Sequence, residues 1–291
     1  MTATETRTLS VPGATLTYDI RESDGGGGGD VLFLVGSPMD ASGFASLASH
    51  FTDRTIVTYD PRGVSRSTRD DDTAELTPEE HAADLRSVVE AIGAGPVDMF
   101  ASSGGAVNAL ALVAAHPGLL RTLVAHEPPV AQVLPDREAA LEVCADLRET
   151  YLREGFGPAM AKFIGVTSRK GPFPATWADE PAPSAADFGL PTEDDGSRND
   201  PLLGQNIRGC TSYRPDFPAL RAAATRVVIA AGRESEGELA ARAAAGVAAG
   251  LGGEPTVFPS HHGGFLGGEF GQHGAPEEFA KALRHVLDDG S

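Results

Sequence analysis

The sequence predicts an α/β fold in which helices flank a mostly parallel, eight-stranded sheet. From Val31 onward, short runs of apolar residues alternate with helical stretches, as in chains that build parallel sheets. The runs are apolar throughout, which is typical of strands buried on both faces. The alternation stops at about Ala131 and resumes after Leu220. We therefore expect one sheet whose chain is interrupted by an insertion.

The N-terminal strands are predicted as an antiparallel meander. Thr6–Val11 and Thr15–Ile20 alternate apolar with polar residues and are joined by a turn at Pro12-Gly13. The run Gly25–Gly29 cannot form a regular element and lacks the Gly-Lys-Ser/Thr ending of a phosphate loop, so it is interpreted as a flexible hairpin tip.

The remaining core elements follow from the same periodicity. The predicted strands are Val31–Val35, Thr55–Tyr59, Val97–Phe100, Leu119–Ala125, Arg226–Ala231 and Thr256–Pro259. The predicted helices are Phe44–Phe51, Thr77–Ile92, Ala106–Ala115, Gly237–Leu251 and Pro276–Leu287. Thr77 and Glu80 form the sequence pattern of a capping box, with Pro78 at the first helical position.

The insertion divides the chain into three parts, with core at 1–130, insertion at 131–220 and core again at 221–291. It follows the sixth predicted strand. Helical segments at Ala139–Leu152 and Ala159–Ile164 lead into a Pro-, Asp- and Gly-rich stretch, Lys170–Asp200, with little periodic signal.

Composition excludes several classes of protein. The chain has 291 residues, of which 41% are hydrophobic, and no run reaches the ~18 apolar residues of a membrane span. The polar start, Met1–Ser10, lacks the pattern of a secretory signal, so a cytoplasmic location is expected. Cys144 and Cys210 lie too far apart to suggest a metal motif or a disulfide framework, so reduced thiols are expected.

The net charge of −18 argues against nucleic acid or an anionic membrane as a partner, because the surface would repel both. The sequence has no nucleotide-binding fingerprint and no cluster of metal ligands, so no cofactor is predicted. We expect a small-molecule substrate, and the sequence leaves open whether the chain forms a homodimer.

The segment Val97–Ala106 carries the main chemical signal, because a strand turns there directly into an alanine-rich helix. A nucleophile elbow needs small residues two before and two after its nucleophile, and Ala101 and Gly105 flank Ser103 in this way. The helix that follows directs its positive end toward Ser103. Ala101 replaces the usual glycine, which leaves a simple flexible turn as the alternative interpretation.

Further segments resemble the α/β-hydrolase family over nearly the whole chain. Leu34–Pro38 is similar to the family's His-Gly-x-Pro turn, and Tyr59–Ser67 to its Asp-x-Arg-Gly-x-Gly-x-Ser segment, with Ser65 for the second glycine. Ala114–Pro117 and Leu123–Pro128 resemble the helix and strand that follow the elbow. Moderate motifs in the correct order are more specific together than any one of them alone.

The resemblance implies an oxyanion hole made of the backbone amides of Ser37 and Gly104. Val35 stands where the family usually has histidine, but backbone donors tolerate such side-chain variation. The resemblance also implies that the insertion is a helical cap that roofs the substrate pocket.

The general base is expected late in the chain, because Phe258–Phe265 resembles the family's Pro-Gly-x-His segment. The spacing selects His262, with His261 as the alternative. His273 and His285 lie within or beside the last helix, where a solvated surface role is expected.

The acid of the triad is the least obvious member. The family often places it after the strand Arg226–Ala231, but Ser235 occupies that position here, flanked by Glu234 and Glu236.

Glu127, at the end of the sixth predicted strand, is the alternative that we favour. Haloalkane dehalogenases and zearalenone-type lactonases, within the same family, place their acid there. A histidine partner would also offset the cost of burying this carboxylate. The neighbouring His126 should point the other way and be structural.

The resemblance suggests a serine hydrolase that acts on a small, largely apolar ester or lactone. A catalytically silent or non-hydrolytic protein that binds a small ligand in the same pocket is the alternative. Aromatic residues of the insertion could line the pocket or form the core of the cap: Phe163, Phe173, Trp177, Phe188 and Tyr213.

Overall fold

A computed structural model describes residues 3–25, 30–72, 74–174, 176–177 and 180–289. Its strands are β1 Thr4–Val11, β2 Ala14–Arg21, β3 Val31–Val35, β4 Thr55–Asp60, β5 Thr68–Arg69, β6 Val97–Ser102, β7 Leu120–His126, β8 Arg226–Gly232 and β9 Thr256–Phe258. They form one sheet in the order β1-β2-β4-β3-β6-β7-β8-β9, with β5 paired to β2.

The helices are α1 Ala45–Ser49, α2 Pro78–Ile92, α3 Gly104–Ala115, α4 Arg137–Glu154, α5 Phe156–Ser168, α6 Ile207–Ser212, α7 Phe217–Ala222, α8 Leu239–Leu251 and α9 Pro276–Asp288. In the part of the sheet ordered β4-β3-β6-β7-β8-β9, all neighbouring strands are parallel. β2 pairs antiparallel with β1, β4 and β5. The predicted α/β class with a mostly parallel sheet is confirmed.

Apolar packing on both faces explains why the central strands are continuously apolar. In β3, Phe33 packs into the cluster that contains α2, α3 and α8, while Leu32 and Leu34 pack into the cluster that contains α1 and α9. Alternate side chains of a strand point to opposite faces, so a strand covered on both sides has no solvent-facing position.

Three local predictions differ from the structure. The two-residue strand β5 adds a ninth strand, so the insertion follows the seventh strand; a segment this short has no periodicity to detect. The predicted helix Phe44–Phe51 is a 3-10 turn, Ala41–Phe44, followed by the single-turn helix α1.

The interpretation of the glycine run as a hairpin tip is wrong. The flanking strands β2 and β3 are not neighbours, because β4 lies between them in the sheet. Gly26–Gly29 themselves lie outside the described residues. A hairpin needs two adjacent antiparallel strands, whereas this connection passes from the antiparallel edge to a parallel strand.

The capping box that the sequence predicts is confirmed. Thr77 and Glu80 form a reciprocal capping box at the start of α2, and Gly93 ends that helix with a positive φ of 69°. Between β7 and β8 the chain builds α4 to α7 and the irregular stretch before α6. No helix in the described part of the chain has the length and apolar character needed to cross a bilayer.

Candidate active site

Ser103 stands at a sharp turn between β6 and α3. Its backbone has φ 56° and ψ −127°, a conformation that a residue with a side chain rarely adopts. The amide of Ser103 donates to the carbonyl of His126 at 2.9 Å, which ties the turn to the end of β7. This geometry matches the elbow that the sequence predicts, and it exposes the hydroxyl at the carboxyl end of the sheet.

The loop after β3 packs directly on this turn. A Cβ atom at Gly104 would lie 2.6 Å from the carbonyl oxygen of Ser37, and one at Gly105 would lie 2.8 Å from that of Val35. Both positions therefore require glycine. The amide of Gly104 is in the first turn of α3, where amides have no carbonyl partner within the helix. Ser37 and Gly104 thus border the same cavity as Ser103.

Glu127 follows β7 with a positive φ of 48° and is completely buried. Its amide donates to the carbonyl of Ala230 at 2.9 Å. One carboxylate oxygen accepts the amide of Gly232 at 2.8 Å, and the other lies 2.5 Å from Nδ1 of His262.

Burial acts to raise the pKa of Glu127. The hydrogen bond and the charge of the His262 ring act to lower it, as do His126 and the Gly232 amide, and these effects together outweigh burial. The pKa is consequently lowered from 4.5 to about 2. Glu127 is therefore an ionised carboxylate in contact with an imidazole.

The structure gives the two adjacent histidines different surroundings. The side chain of His262 is 40% exposed, its Nδ1 faces Glu127, and the residue lines the cavity with Ser103. His261 uses both ring nitrogens locally: Nε2 donates to the carbonyl of His273 at 3.0 Å, and Nδ1 accepts the amide of Gly263 at 3.0 Å. Of these two histidines, His262 is the one whose Nε2 has no hydrogen-bond partner in the described part of the chain.

Ser103 Oγ and His262 make no hydrogen bond with one another among the described residues. Such bonds often become short only in a complex with substrate, so their length in the free protein does not exclude a catalytic pair. Both side chains face one cavity, within which a reacting ester carbonyl can reach them.

The other acidic candidates lie elsewhere. Glu234 and Glu236 are both exposed, and the carboxylate that pairs with His262 among the described residues is that of Glu127. Ser235, at the position where the family often has its acid, is fully buried, and its hydroxyl has no partner among the described residues. The geometry around His262 thus favours Glu127.

His126 is completely buried at the end of β7, as a structural residue should be. Its Nδ1 lies 3.1 Å from Ser102 Oγ, and its ring packs among phenylalanines that include Phe279, with ring centroids 5.2 Å apart. It is nevertheless near the site, because its ring stacks on that of His262 with centroids 6.0 Å apart. Burial lowers the pKa of His126 from 6.5 to about 4, so the ring is neutral at pH 7.

The cavity has a volume of about 500 Å³ and is bordered mainly by α4, α5 and α6 on the side away from the sheet. Its apolar lining residues are Pro38, Pro129, Leu147, Phe163, Ile164, Val166, Leu202, Ile207, Leu239 and Ala240. A cavity of this size and lining suits a small, largely apolar molecule.

Of the predicted aromatic lining residues, Phe163 borders the cavity. Phe173 and Trp177 instead pack edge to face in the core formed by the insertion, and Tyr213 is buried in the main core. Phe188 is 44% exposed. The alternative, that these rings form the core of the insertion, therefore holds for Phe173 and Trp177.

No sequence motif indicates several polar residues that line the cavity. Cys144, Cys210 and Asn206 reach the cavity from α4, α6 and the turn before α6, and Glu238 reaches it from the start of α8. The two cysteines are free, buried thiols. Isolated residues on separate elements carry no motif, so only the packing of those elements identifies them.

The sequence matches the α/β hydrolase fold family over residues 29–183. With this match and the elbow, sheet and loop geometry described above, the chain belongs to the α/β-hydrolase family, as the resemblance implied. The hydrolase YraK of Bacillus subtilis, which is itself uncharacterized, is 30% identical over 275 residues, 89% of each chain.

Solved structures with the same fold have lower identity. A thermophilic esterase from Thermogutta terrifontis shares 18% identity with a TM-score of 0.68, covering 98% of this chain and 99% of that chain. The enol-lactonase from Burkholderia xenovorans LB400 shares 17% identity with a TM-score of 0.64 and the same coverage.

Proposed function

We propose that this protein is a serine hydrolase that cleaves small, largely apolar carboxylic esters or lactones through an acyl-enzyme on Ser103. The observation that carries the proposal is the 2.5 Å contact of Glu127 with Nδ1 of His262, a residue that lines one cavity together with Ser103. A buried carboxylate on one ring nitrogen leaves the other nitrogen to exchange a proton with the serine.

The reaction begins when Nε2 of His262 takes the proton of Ser103 as Oγ attacks the ester carbonyl. The amides of Ser37 and Gly104 hold the resulting oxyanion, and one such donor is worth roughly 3 kcal/mol. His262 then gives the proton to the leaving alkoxide, which departs as the alcohol. His262 next takes a proton from the water that attacks the acyl-enzyme. It returns this proton to Ser103 Oγ as the bond to the acyl group breaks and the carboxylic acid leaves.

Glu127 keeps the His262 ring in one tautomer, with the proton on Nδ1, and stabilises the imidazolium that forms in each step. Its lowered pKa, about 2, keeps the carboxylate ionised throughout this cycle. Glu127 itself is fully buried, which keeps water away from the carboxylate and strengthens its electrostatic interaction with the ring.

The substrate class rests on the cavity. Its apolar lining and its volume of about 500 Å³ favour compact esters and lactones over long acyl chains or polymers. The names of similar structures, an esterase and an enol-lactonase, agree with this class. We assign α4 to α6 the role of a cap that forms the roof of the cavity.

The proposal is tested with a short-chain p-nitrophenyl ester and a fluorophosphonate probe read by mass spectrometry. The wild type should turn over the ester and carry the label on Ser103, and Ser103→Ala should lose both. Ser102→Ala is the matched control, because Ser102 faces His126 and should leave the label on Ser103. A folded wild type that neither labels nor turns over would favour the non-hydrolytic, ligand-binding alternative.

A further inference from the structure

Glu238 is a carboxylate that lines the cavity, and the mechanism above does not use it. It precedes α8, is half-buried, and lines the cavity together with Ser103 and His262. Within the described residues, its side chain makes no hydrogen bond and no ion pair. Glu127, by contrast, has both oxygens engaged. Glu238 is thus the free carboxylate of this cavity.

Within the described part of the chain, the groups whose charges act on Glu238 are Glu127, Lys170, His262 and His261. Lys170 directs its ammonium to the carbonyl of Glu234, at 3.3 Å, and forms no ion pair with Glu238. Burial, followed by the charge of Glu127, raises the pKa of Glu238, which indicates a carboxylate with too little positive charge nearby.

The surroundings of Glu238 indicate which part of an ester it faces. Glu238 and His262 line the same cavity and the charge of His262 acts on Glu238, whereas the proposed oxyanion donors Ser37 and Gly104 belong to the loop after β3 and the start of α3. His262 protonates the leaving oxygen, so groups beside His262 face the alcohol part of the substrate.

We propose that Glu238 determines specificity for esters whose alcohol part carries a positive charge, and that it disfavours those whose alcohol part carries a carboxylate. The inference rests on the proposed hydrolase function and narrows its substrate class. A cationic group placed near His262 would supply the ion pair that Glu238 lacks. At a partly buried site, one such pair changes relative affinity by about fivefold to tenfold.

The test compares two probes of the same shape, one cationic and one neutral. Binding of choline and of 3,3-dimethylbutan-1-ol is measured by ligand-detected NMR, and kcat/KM is measured for their acetate esters. The cationic ester is intrinsically more reactive, so the measured quantity is the change in the cation-to-neutral ratio between variants. The variants are Glu238→Gln, the matched exposed control Glu236→Gln, and Lys170→Gln.

Glu238→Gln should lower the ratio about fivefold to tenfold in both binding and turnover, while Glu236→Gln should change it less than twofold. Lys170→Gln should raise the ratio, because it removes a competing cation, and this variant remains informative if Glu238→Gln folds poorly. Equal ratios in wild type and Glu238→Gln would overturn the inference. Normal cation binding without any ester turnover would instead contradict the proposed hydrolase function, which keeps the two failures distinct.

Discussion

Glu127 Oε2 lies 2.5 Å from His262 Nδ1, although the two residues are 135 positions apart in the chain. The carboxylate comes from the end of β7 and the imidazole from the loop after β9, with β8 between them in the sheet. The amide of Gly232, at the end of β8, binds the other carboxylate oxygen. Three successive strand ends thus converge on one ion pair.

Removing the charge of Glu127 should disable the proposed base. We expect Glu127→Gln to lower kcat for a p-nitrophenyl ester by about 10²- to 10⁴-fold, because an amide cannot stabilise the imidazolium or enforce its tautomer. Glu234→Gln is the control and should stay within twofold of the wild type, because Glu234 is exposed. Steady-state kinetics with folded variants checks this. The assignment is wrong if Glu234→Gln is the more damaging change.

A methyl group at Gly104 should displace the proposed oxyanion loop. The added Cβ would lie 2.6 Å from the carbonyl of Ser37 and 3.1 Å from the sulfur of Cys210. We expect Gly104→Ala to lower kcat by about 10²-fold, close to the loss of one oxyanion donor.

Gly118→Ala provides the comparison, since a Cβ there would meet no atom within 4 Å. Ester kinetics and thermal unfolding are measured for both variants. Equal activity of Gly104→Ala and Gly118→Ala, at equal stability, would argue against the proposed oxyanion hole.

His126 should make the protein less stable as the pH falls below neutrality. Its pKa is about 4 in the folded chain, lowered from 6.5 by burial, so between these values the unfolded chain binds a proton that the folded chain excludes. The free energy of unfolding should therefore fall as the pH is lowered from 6.5 to 4, by up to about 1.4 kcal/mol per pH unit from this group.

His126→Phe removes this titration, so its stability should depend less on pH than that of the wild type. Urea unfolding at pH 7.0, 6.0 and 5.0 measures the difference. Glu127 does not interfere in this range. The stability that its lowered pKa contributes is lost only as the pH falls below about 4.5. Parallel pH profiles for wild type and His126→Phe would show that the ring accepts a proton in the folded protein.

Asn108 should be replaceable with a gain in stability. It lies on α3, is completely buried, and neither its amide nitrogen nor its oxygen has a partner among the described residues. Asn108→Leu should raise the free energy of unfolding by about 1 to 3 kcal/mol, because it removes an unpaired buried polar group.

Asn206→Leu is the matched control and should be destabilising. Asn206 is equally buried, but its oxygen lies 2.6 Å from Nε2 of His81 and its nitrogen donates to the carbonyl of Pro201 at 2.7 Å. Chemical denaturation of the two variants should therefore give changes of opposite sign. A loss of stability in Asn108→Leu would indicate that its side chain has a role that these contacts do not reveal.

Local chemistry was enough for the sequence to predict the class of the fold and the turn at Ser103. Strands buried on both faces must be apolar along their whole length, a capping box is encoded within four residues, and an elbow needs small residues around one serine. Each of these requirements is satisfied by neighbours in the chain. The glycine run and β5 were misread or missed because their partners are set by the order of strands in the sheet.

The resemblance favoured Glu127 and His262, but only the tertiary structure shows which carboxylate meets which imidazole. Glu127, Glu234 and Glu236 all lie near a strand end in the sequence, and the structure brings Glu127 against His262. His261 is adjacent in the chain, and its ring nitrogens contact His273 and Gly263 instead. Likewise, only the structure shows that Glu238 lines the cavity. A pocket is made of side chains that meet across separate elements, whereas sequence patterns record only spacing along one chain.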